Sequence, residues 1–162
     1  MYKRQIDIIR SIPFIILIVL LIPLSRFLVG TGSGVTGSFV ALVFGTVPFF
    51  ARQIESVLSE IDHGLVEASA AMGFSPRQII FGVYLRESIP GITRVTMITF
   101  VSFVGITAIA GAIGAGGIGD FAIRYGYQMG YRDMIWLTVL IILAIISIFQ
   151  FFGNMIIRRT TH

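Results

Sequence analysis

The stretch MIWLTVLIILAIISIFQFFGNMII, residues 134–157, contains no charged side chain. About 20 mostly apolar residues are enough to cross the hydrocarbon core of a bilayer as an α-helix. A second uncharged stretch, VTMITFVSFVGITAIAGAIGAGGI, occupies residues 95–118. Because an α-helix satisfies its backbone polar groups within its own segment, it is the expected structure in lipid. We predict that both stretches are transmembrane helices.

The composition of the whole chain is also typical of a membrane protein. Of its 162 residues, 56% are hydrophobic and 12% are charged, and this is about half the charged fraction of a soluble domain. Two shorter apolar stretches lie at 12–29, broken only by Arg26 near its end, and at 35–51, which has no charge. We therefore predict an all-α, polytopic membrane protein, a single domain over residues 1–162, with spans at about 10–29, 35–51, 92–118 and 134–157.

The positive charges lie mainly on one side of the four predicted spans. Of the 12 Lys and Arg residues, only Arg26, Arg124 and Arg132 fall on the side opposite to the chain ends. The others are Lys3, Arg4, Arg10, Arg52, Arg77, Arg86, Arg94, Arg158 and Arg159. Because Lys and Arg are enriched in cytoplasmic segments, we expect both chain ends and the segment 52–91 to face the cytoplasm. This one-sided distribution argues against a nucleic-acid partner.

Other kinds of site lack the residues that they need. The chain has no cysteine and two histidines. His63 has no second histidine or cysteine near it, and His162 is terminal, so no metal site is expected. Gly114-x-Gly116-x-x-Gly119 matches the dinucleotide-binding fingerprint by letters, but it follows an apolar span rather than a strand. A membrane-embedded enzyme would need a polar catalytic cluster, and a secondary transporter would need an intramembrane carboxylate or histidine. The sequence shows neither.

The segment 52–91 contains the stretch EASAAMGFSPRQI, residues 67–79. Apolar residues recur at helical spacing from 54 to 65, so the second span is expected to continue as a cytoplasmic helix. A helix over 64–72 should end at Gly73, and a second short helix should begin with a capping box of Ser75 and Gln78 and with Pro76 at its first position. The small residues at 68–71 allow another backbone to approach closely. That backbone can belong to a partner protein or to the same chain, and the residues alone leave both open.

The third span is rich in small residues, which have two possible explanations. Glycine and alanine allow close helix packing in lipid, but they also occur in irregular segments that line a path through the membrane. Hydroxyl side chains in the same span add polarity without charge. The candidates for the translocation path or for helix packing are Thr99, Ser102, Gly105, Gly111 and Gly114.

The stretch with Glu67-Ala68, Gly73 and Val83-x-Leu85 resembles the EAA loop of ABC-importer permeases. In that family the loop docks into a groove of a separate cytoplasmic ATPase subunit. The resemblance implies that the docking residues are Glu67, Ala68, Ser69, Ala71, Gly73, Ser75, Pro76 and Leu85. This sequence departs from the pattern at Ser69, where the family has alanine, and at Arg86, where it has proline. Either the helix break has moved towards Pro90 or the docking surface carries an additional charge.

Three longer segments are similar to the permease subunits of methionine ABC importers. They are RSIPFIILIVLLIPLSRFLVGT (10–31), PFFARQIESVLSEIDHGLVEASAAMG (48–73) and GAIGAGGIGDFAIRYGY (111–127). The resemblance implies a type I importer fold in the bacterial cell membrane and transport of D- or L-methionine. It also implies a homodimer, two ATPase subunits that bind ATP and magnesium, and a substrate-binding lipoprotein or periplasmic protein. The permease itself would bind no cofactor and would not be an enzyme.

Permeases of this family usually have five spans, so we expect the first to be missing here. Another amino acid or a phosphonate is the alternative substrate, and a secondary-transporter fragment is the less favoured alternative class.

Overall fold

The structure, a computed structural model, describes residues 12–160. Predictions that involve residues 1–11 and 161–162, including the start of the first span at residue 10, lie outside the described residues. Within 12–160 the regular structure is entirely helical. The helices are α1 (Phe14–Val29), α2 (Gly34–Ser59), α3 (His63–Ala71), α4 (Pro76–Gln78), α5 (Leu85–Ala110), α6 (Gly117–Phe121) and α7 (Arg132–Thr160), with π-helical segments at Ile79–Tyr84, Gly111–Ala115 and Ala122–Gln128.

Within the described residues, three helical runs are long and apolar enough to cross a membrane. They are α2 with 26 residues, the run Pro76–Ala115 with 40, and α7 with 29. Helix α1 has 16 residues, so at ~1.5 Å per residue it is ~24 Å long, shorter than the ~30 Å hydrocarbon core. The extension of α2 to Ser59 confirms that this helix continues beyond its predicted span.

The prediction of a separate short helix after Gly73 is wrong. Helix α4 continues through the π-helical segment Ile79–Tyr84 into α5, so one helical run extends from Pro76 to the third predicted span. Pro90 lies inside α5 and does not end it, which excludes a helix break at that position. Proline removes one backbone donor, but helices in membrane proteins tolerate it because neighbouring groups satisfy the carbonyl that loses its partner.

The third predicted span, 92–118, is interrupted near its end. Helix α5 ends at Ala110, and Ile113 and Gly114 in the following segment have non-helical backbone angles. Gly114 has φ +93°, a conformation that side chains with a Cβ rarely adopt. The irregular segment that the small residues allowed is therefore present at 113–116, and α6 begins directly after it.

The chain divides into two compact units. Of the described residues, the first unit contains 12–49 together with Thr99–Ile148, and the second contains Phe50–Ile98 together with 149–160. In the first unit, α1 and α2 approach closely at Gly45, where a Cβ would lie 3.3 Å from the ring of Phe14. In the second unit, a Cβ on Gly91 would lie 2.5 Å from Val57 Cγ1. Small residues thus set the distance between helices in both units.

Candidate functional site

The segment 62–85, called the helical hairpin below, has a turn that local hydrogen bonds define. Gly73 has φ +83°; its N–H donates to Ala70 O at 3.0 Å, and the N–H of Phe74 donates to Ser69 O at 3.2 Å. These two bonds form a Schellman motif, in which a left-handed glycine ends a helix and satisfies its last carbonyl groups. The predicted helix end at Gly73 is confirmed.

Side-chain caps fix the starts of both helices of the hairpin. Asp62 Oδ1 accepts a hydrogen bond from the N–H of Gly64 at 2.8 Å. After the turn, Gln78 Oε1 accepts from the N–H of Ser75 at 2.8 Å, and Ser75 Oγ accepts from the N–H of Gln78 at 3.4 Å. Pro76 stands at the first position of α4. The predicted capping box is therefore present, and it holds the turn in one conformation.

Most of the residues predicted to contact an ATPase are exposed on the hairpin. Leu85 is 38% exposed, and the other exposed members of the set are Glu67, Ala68, Ala71, Gly73, Ser75 and Pro76. Ser69 differs, because it is 3% exposed and its Oγ donates to Leu65 O at 2.8 Å. The interpretation of Ser69 as a surface contact is thus corrected: its own chain covers this small side chain, which lets α3 pack closely.

The hairpin also exposes large apolar side chains outside the predicted docking set. Phe81 is 70% exposed and Met72 is 67% exposed, and Phe74 and Ile80 are exposed as well. Exposed apolar groups close together in a chain are typical of an interaction surface. In the sequence, these apolar residues lie on both sides of a polar turn with capping residues, and this pattern could have identified them as surface contacts. These four residues belong with the candidate docking residues.

The first unit contains a cleft of about 320 Å³. Thr99 and Ser102 line it, so the structure brings two of the predicted path residues together. Its other lining residues are Ile12, Pro13, Phe14, Leu17, Gly45, Thr46, Phe49, Phe103 and Ile106. None of these side chains is charged. Thr46 was not predicted, although a hydroxyl inside the uncharged stretch 35–51 was a detectable signal.

The three predicted glycines do not line this cleft. Gly105 is exposed, and a Cβ built on it would meet nothing within 4 Å. Gly111 is buried, and a Cβ there would lie 2.6 Å from Asp120 N. Gly114 forms the irregular turn described above. Of the two explanations for the small residues, Gly111 therefore supports close packing and Gly114 supports an irregular segment.

Charged groups of the described residues lie outside the cleft. Arg124 and Asp120 form an ion pair with an Nε–Oδ1 distance of 2.7 Å. In the second unit, a cavity of about 300 Å³ beside the hairpin is lined in part by Glu60, Asp62 and Glu87. Within residues 12–160, no group of three or more His, Cys, Asp or Glu residues is arranged to hold a metal ion.

Comparisons with known proteins agree over nearly the whole chain. A family model described as the inner membrane component of binding-protein-dependent transport systems matches residues 1–162. The probable D-methionine transport system permease protein MetI of Vibrio cholerae is 43% identical over 157 residues, which are 97% of this chain and 70% of that protein. The methionine import system permease protein MetP of Bacillus subtilis is 44% identical over 151 residues, 93% of this chain and 68% of that protein. Among solved structures, an inward-facing conformation of the MetNI methionine ABC transporter matches with a TM-score of 0.88 and 42% identity, over 98% of this chain and 74% of that chain.

Proposed function

This chain belongs to the family of binding-protein-dependent transport system inner membrane components, and we propose that it is the membrane-spanning subunit of an ATP-driven methionine importer. The observation that carries this proposal is the structural match to the MetNI methionine ABC transporter over 98% of the chain. The two relatives described above are also named as methionine permeases. Their names favour D- or L-methionine over another amino acid or a phosphonate.

In this proposal the chain transports the solute and a partner hydrolyses ATP. Two ATPase subunits bind ATP and magnesium, two copies of the permease form a homodimer, and a substrate-binding lipoprotein or periplasmic protein delivers methionine. The chain ends and the helical hairpin face the cytoplasm, as the distribution of Lys and Arg predicts.

The helical hairpin is the proposed contact with the ATPase. Its exposed apolar residues, Met72, Phe74, Ile80 and Phe81, would be buried in a groove of that subunit, a common way to bind a helix. The hydrogen-bonded turn at Gly73 keeps these side chains in place. Since the helical run that begins at Pro76 continues to Ala110, a movement of the ATPase would be passed along one helix to the third span. Alternating access to the two sides of the membrane would follow.

Co-purification with a candidate ATPase subunit tests the docking surface. We expect Ala68→Trp and Ala71→Trp to abolish capture, because both positions are exposed on α3 and a bulky ring would prevent close approach. Ser59→Trp is the matched control: this residue is exposed at the end of α2, outside the hairpin. Equal capture by all three variants would contradict the proposed contact.

Uptake of labelled methionine tests the substrate. The chain is expressed together with its ATPase and binding protein in cells that lack other methionine import. We expect uptake of labelled methionine that depends on ATP and that Ala71→Trp abolishes. Import of a different solute, with no import of methionine, would support the alternative substrate.

A further inference from the structure

The cleft of the first unit has the chemistry of a site for the transported solute. We propose that it binds an amino acid with an unbranched apolar side chain during transport, with the Thr46 and Ser102 hydroxyls on its charged backbone groups and phenylalanine rings on its side chain. This inference rests on the proposed function and identifies where, within the spans, the solute is held. The volume of about 320 Å³ lies at the lower end of the ~300–1,000 Å³ that is usual for small-molecule sites.

Three separate parts of the chain form the cleft. Pro13 precedes α1, and Phe14 and Leu17 lie in its first turns. Gly45, Thr46 and Phe49 come from the middle of α2. Helix α5 contributes Thr99, Ser102, Phe103 and Ile106, whose spacing of three and four residues places them on one helix face. Because Thr46 and Phe49 lie in the later half of the predicted span 35–51, the orientation expected from the charges puts the cleft in the cytoplasmic half of the spans. A solute bound there is close to its point of release.

The hydroxyls of Thr46 and Ser102 differ from others in the same unit. Ser38, Thr107 and Thr138 each donate to a carbonyl of their own helix, at 2.9, 2.8 and 2.7 Å. Within the described residues 12–160, Thr46 Oγ1 is buried with no hydrogen-bond partner. Ser102 is exposed to the cleft and likewise forms no hydrogen bond to another residue in that range.

A hydroxyl without a partner in a covered position is unfavourable, so its presence calls for a partner that binds at some stage. Thr46 lines the cleft, although its Oγ1 is covered. One rotation about χ1 would exchange the positions of the hydroxyl and the methyl group and bring the hydroxyl to the cleft. Each hydroxyl can both donate and accept. Thr46 and Ser102 can therefore bind an ammonium and a carboxylate together, and a zwitterion without net charge needs no charged residue in the cleft.

The apolar lining specifies the side chain of the solute. Phe14, Phe49 and Phe103 line the cleft together with Leu17 and Ile106. Aromatic rings make favourable contacts with thioether sulfur, and an unbranched chain fits between rings more easily than a branched one. A lining of this kind excludes solutes with a charged side chain, because burial of an unpaired charge is costly.

The test uses the complete importer, with its ATPase and binding protein, reconstituted in liposomes. Labelled methionine imported per ATP hydrolysed is measured for the wild type, Thr46→Val, Thr46→Ser and Ser102→Ala. We expect Thr46→Val and Ser102→Ala to lower this ratio about tenfold, the order expected for loss of a hydrogen bond to a charged group. Thr46→Ser keeps the hydroxyl and should retain the wild-type ratio. Thr107→Val is the matched control, since its hydroxyl bonds Val104 O and it does not line the cleft.

The outcomes separate this inference from the proposed function. ATPase capture should be the same in all variants, which shows that each variant is folded and assembled. A wild type that imports methionine, with unchanged ratios for both Thr46→Val and Ser102→Ala, overturns the site and leaves the importer proposal intact. A wild type that assembles but imports no methionine overturns both. An equal loss of import in Thr107→Val would also contradict the site, because any lost hydroxyl would then have the same effect.

Discussion

The buried glycine at 111 offers a direct test of the packing at the irregular turn. A Cβ on Gly111 would lie 2.6 Å from Asp120 N, 2.8 Å from Gly116 O and 2.9 Å from Gly119 Cα. All three are backbone atoms, which cannot move aside as the end of a flexible side chain can. We therefore expect Gly111→Ala to destabilise the protein, although alanine is normally the better residue in a helix.

Two opposing contributions set the size of this effect. Replacement of glycine by alanine in a helix stabilises by up to ~1 kcal/mol, whereas overpacking costs ~1–3 kcal/mol and more where backbone must shift. Because the clash is with backbone atoms, the upper half of the overpacking range, ~2–3 kcal/mol, applies, and subtraction of the ~1 kcal/mol gain leaves a net loss of ~1–2 kcal/mol. For a chain of 162 residues, with ~2–4 °C per kcal/mol, the melting temperature should fall by ~2–8 °C.

Gly105→Ala is the matched control for Gly111→Ala. Gly105 lies in α5, and a Cβ there would meet nothing within 4 Å, so this variant should melt at or slightly above the wild-type temperature. Both variants are purified in the same detergent and unfolded by heat under circular dichroism. If Gly111→Ala melted as high as Gly105→Ala, the close approach of these backbone segments would be refuted.

Three further predictions concern other residues. Ser69→Leu should reduce ATPase capture, because Ser69 is 3% exposed and a larger side chain would displace α3; unchanged capture would show that the site has room. Gly73→Ala should destabilise the turn by ~1–2 kcal/mol, the cost of a left-handed conformation with a Cβ, and should therefore speed backbone hydrogen exchange in the hairpin. Gly82→Ala is its control and should leave the exchange rate unchanged, because a Cβ on Gly82 would meet nothing within 4 Å. Asp120→Asn should cost less than ~1 kcal/mol, because the pair with Arg124 is partly exposed. A fall in melting temperature of more than ~4 °C in Asp120→Asn would contradict this value.

The parts of the structure that local chemistry determines could be predicted from the sequence. The capping box of Ser75 and Gln78 and the helix end at Gly73 depend on residues within one turn of each other. The long helices follow from uncharged stretches, because lipid leaves the backbone few alternatives to a helix. Family resemblance added what local chemistry could not, namely the proposal that the exposed hairpin contacts an ATPase.

Features that depend on contacts between distant residues could not be predicted. Pro90 was a reasonable place for a helix break, but the helix continues through it because tertiary surroundings can satisfy the lost hydrogen bond. The burial of Ser69 depends on which face of α3 packs on its own chain. The cleft joins Phe14, Thr46 and Ser102 from three separate helices, so no single stretch of sequence shows it.

A cleft lined by neutral groups suits a site that a solute must leave. Transport needs binding that is favourable enough for entry and weak enough for release, and a fixed charge beside a zwitterion would bind one end of it strongly in a low-dielectric setting. The Ser102 hydroxyl, which is exposed, can exchange a hydrogen bond to the solute for one to water at small cost, because this exchange is nearly balanced. In the proposed importer the direction of movement then comes from ATP through the hairpin, and the cleft needs only to select the solute.

Introduction of a charge at the cleft, as in Ser102→Asp, should therefore slow release, and we expect it to lower methionine import while ATPase capture is unchanged. Import at the wild-type rate by Ser102→Asp would show that the solute does not pass this residue.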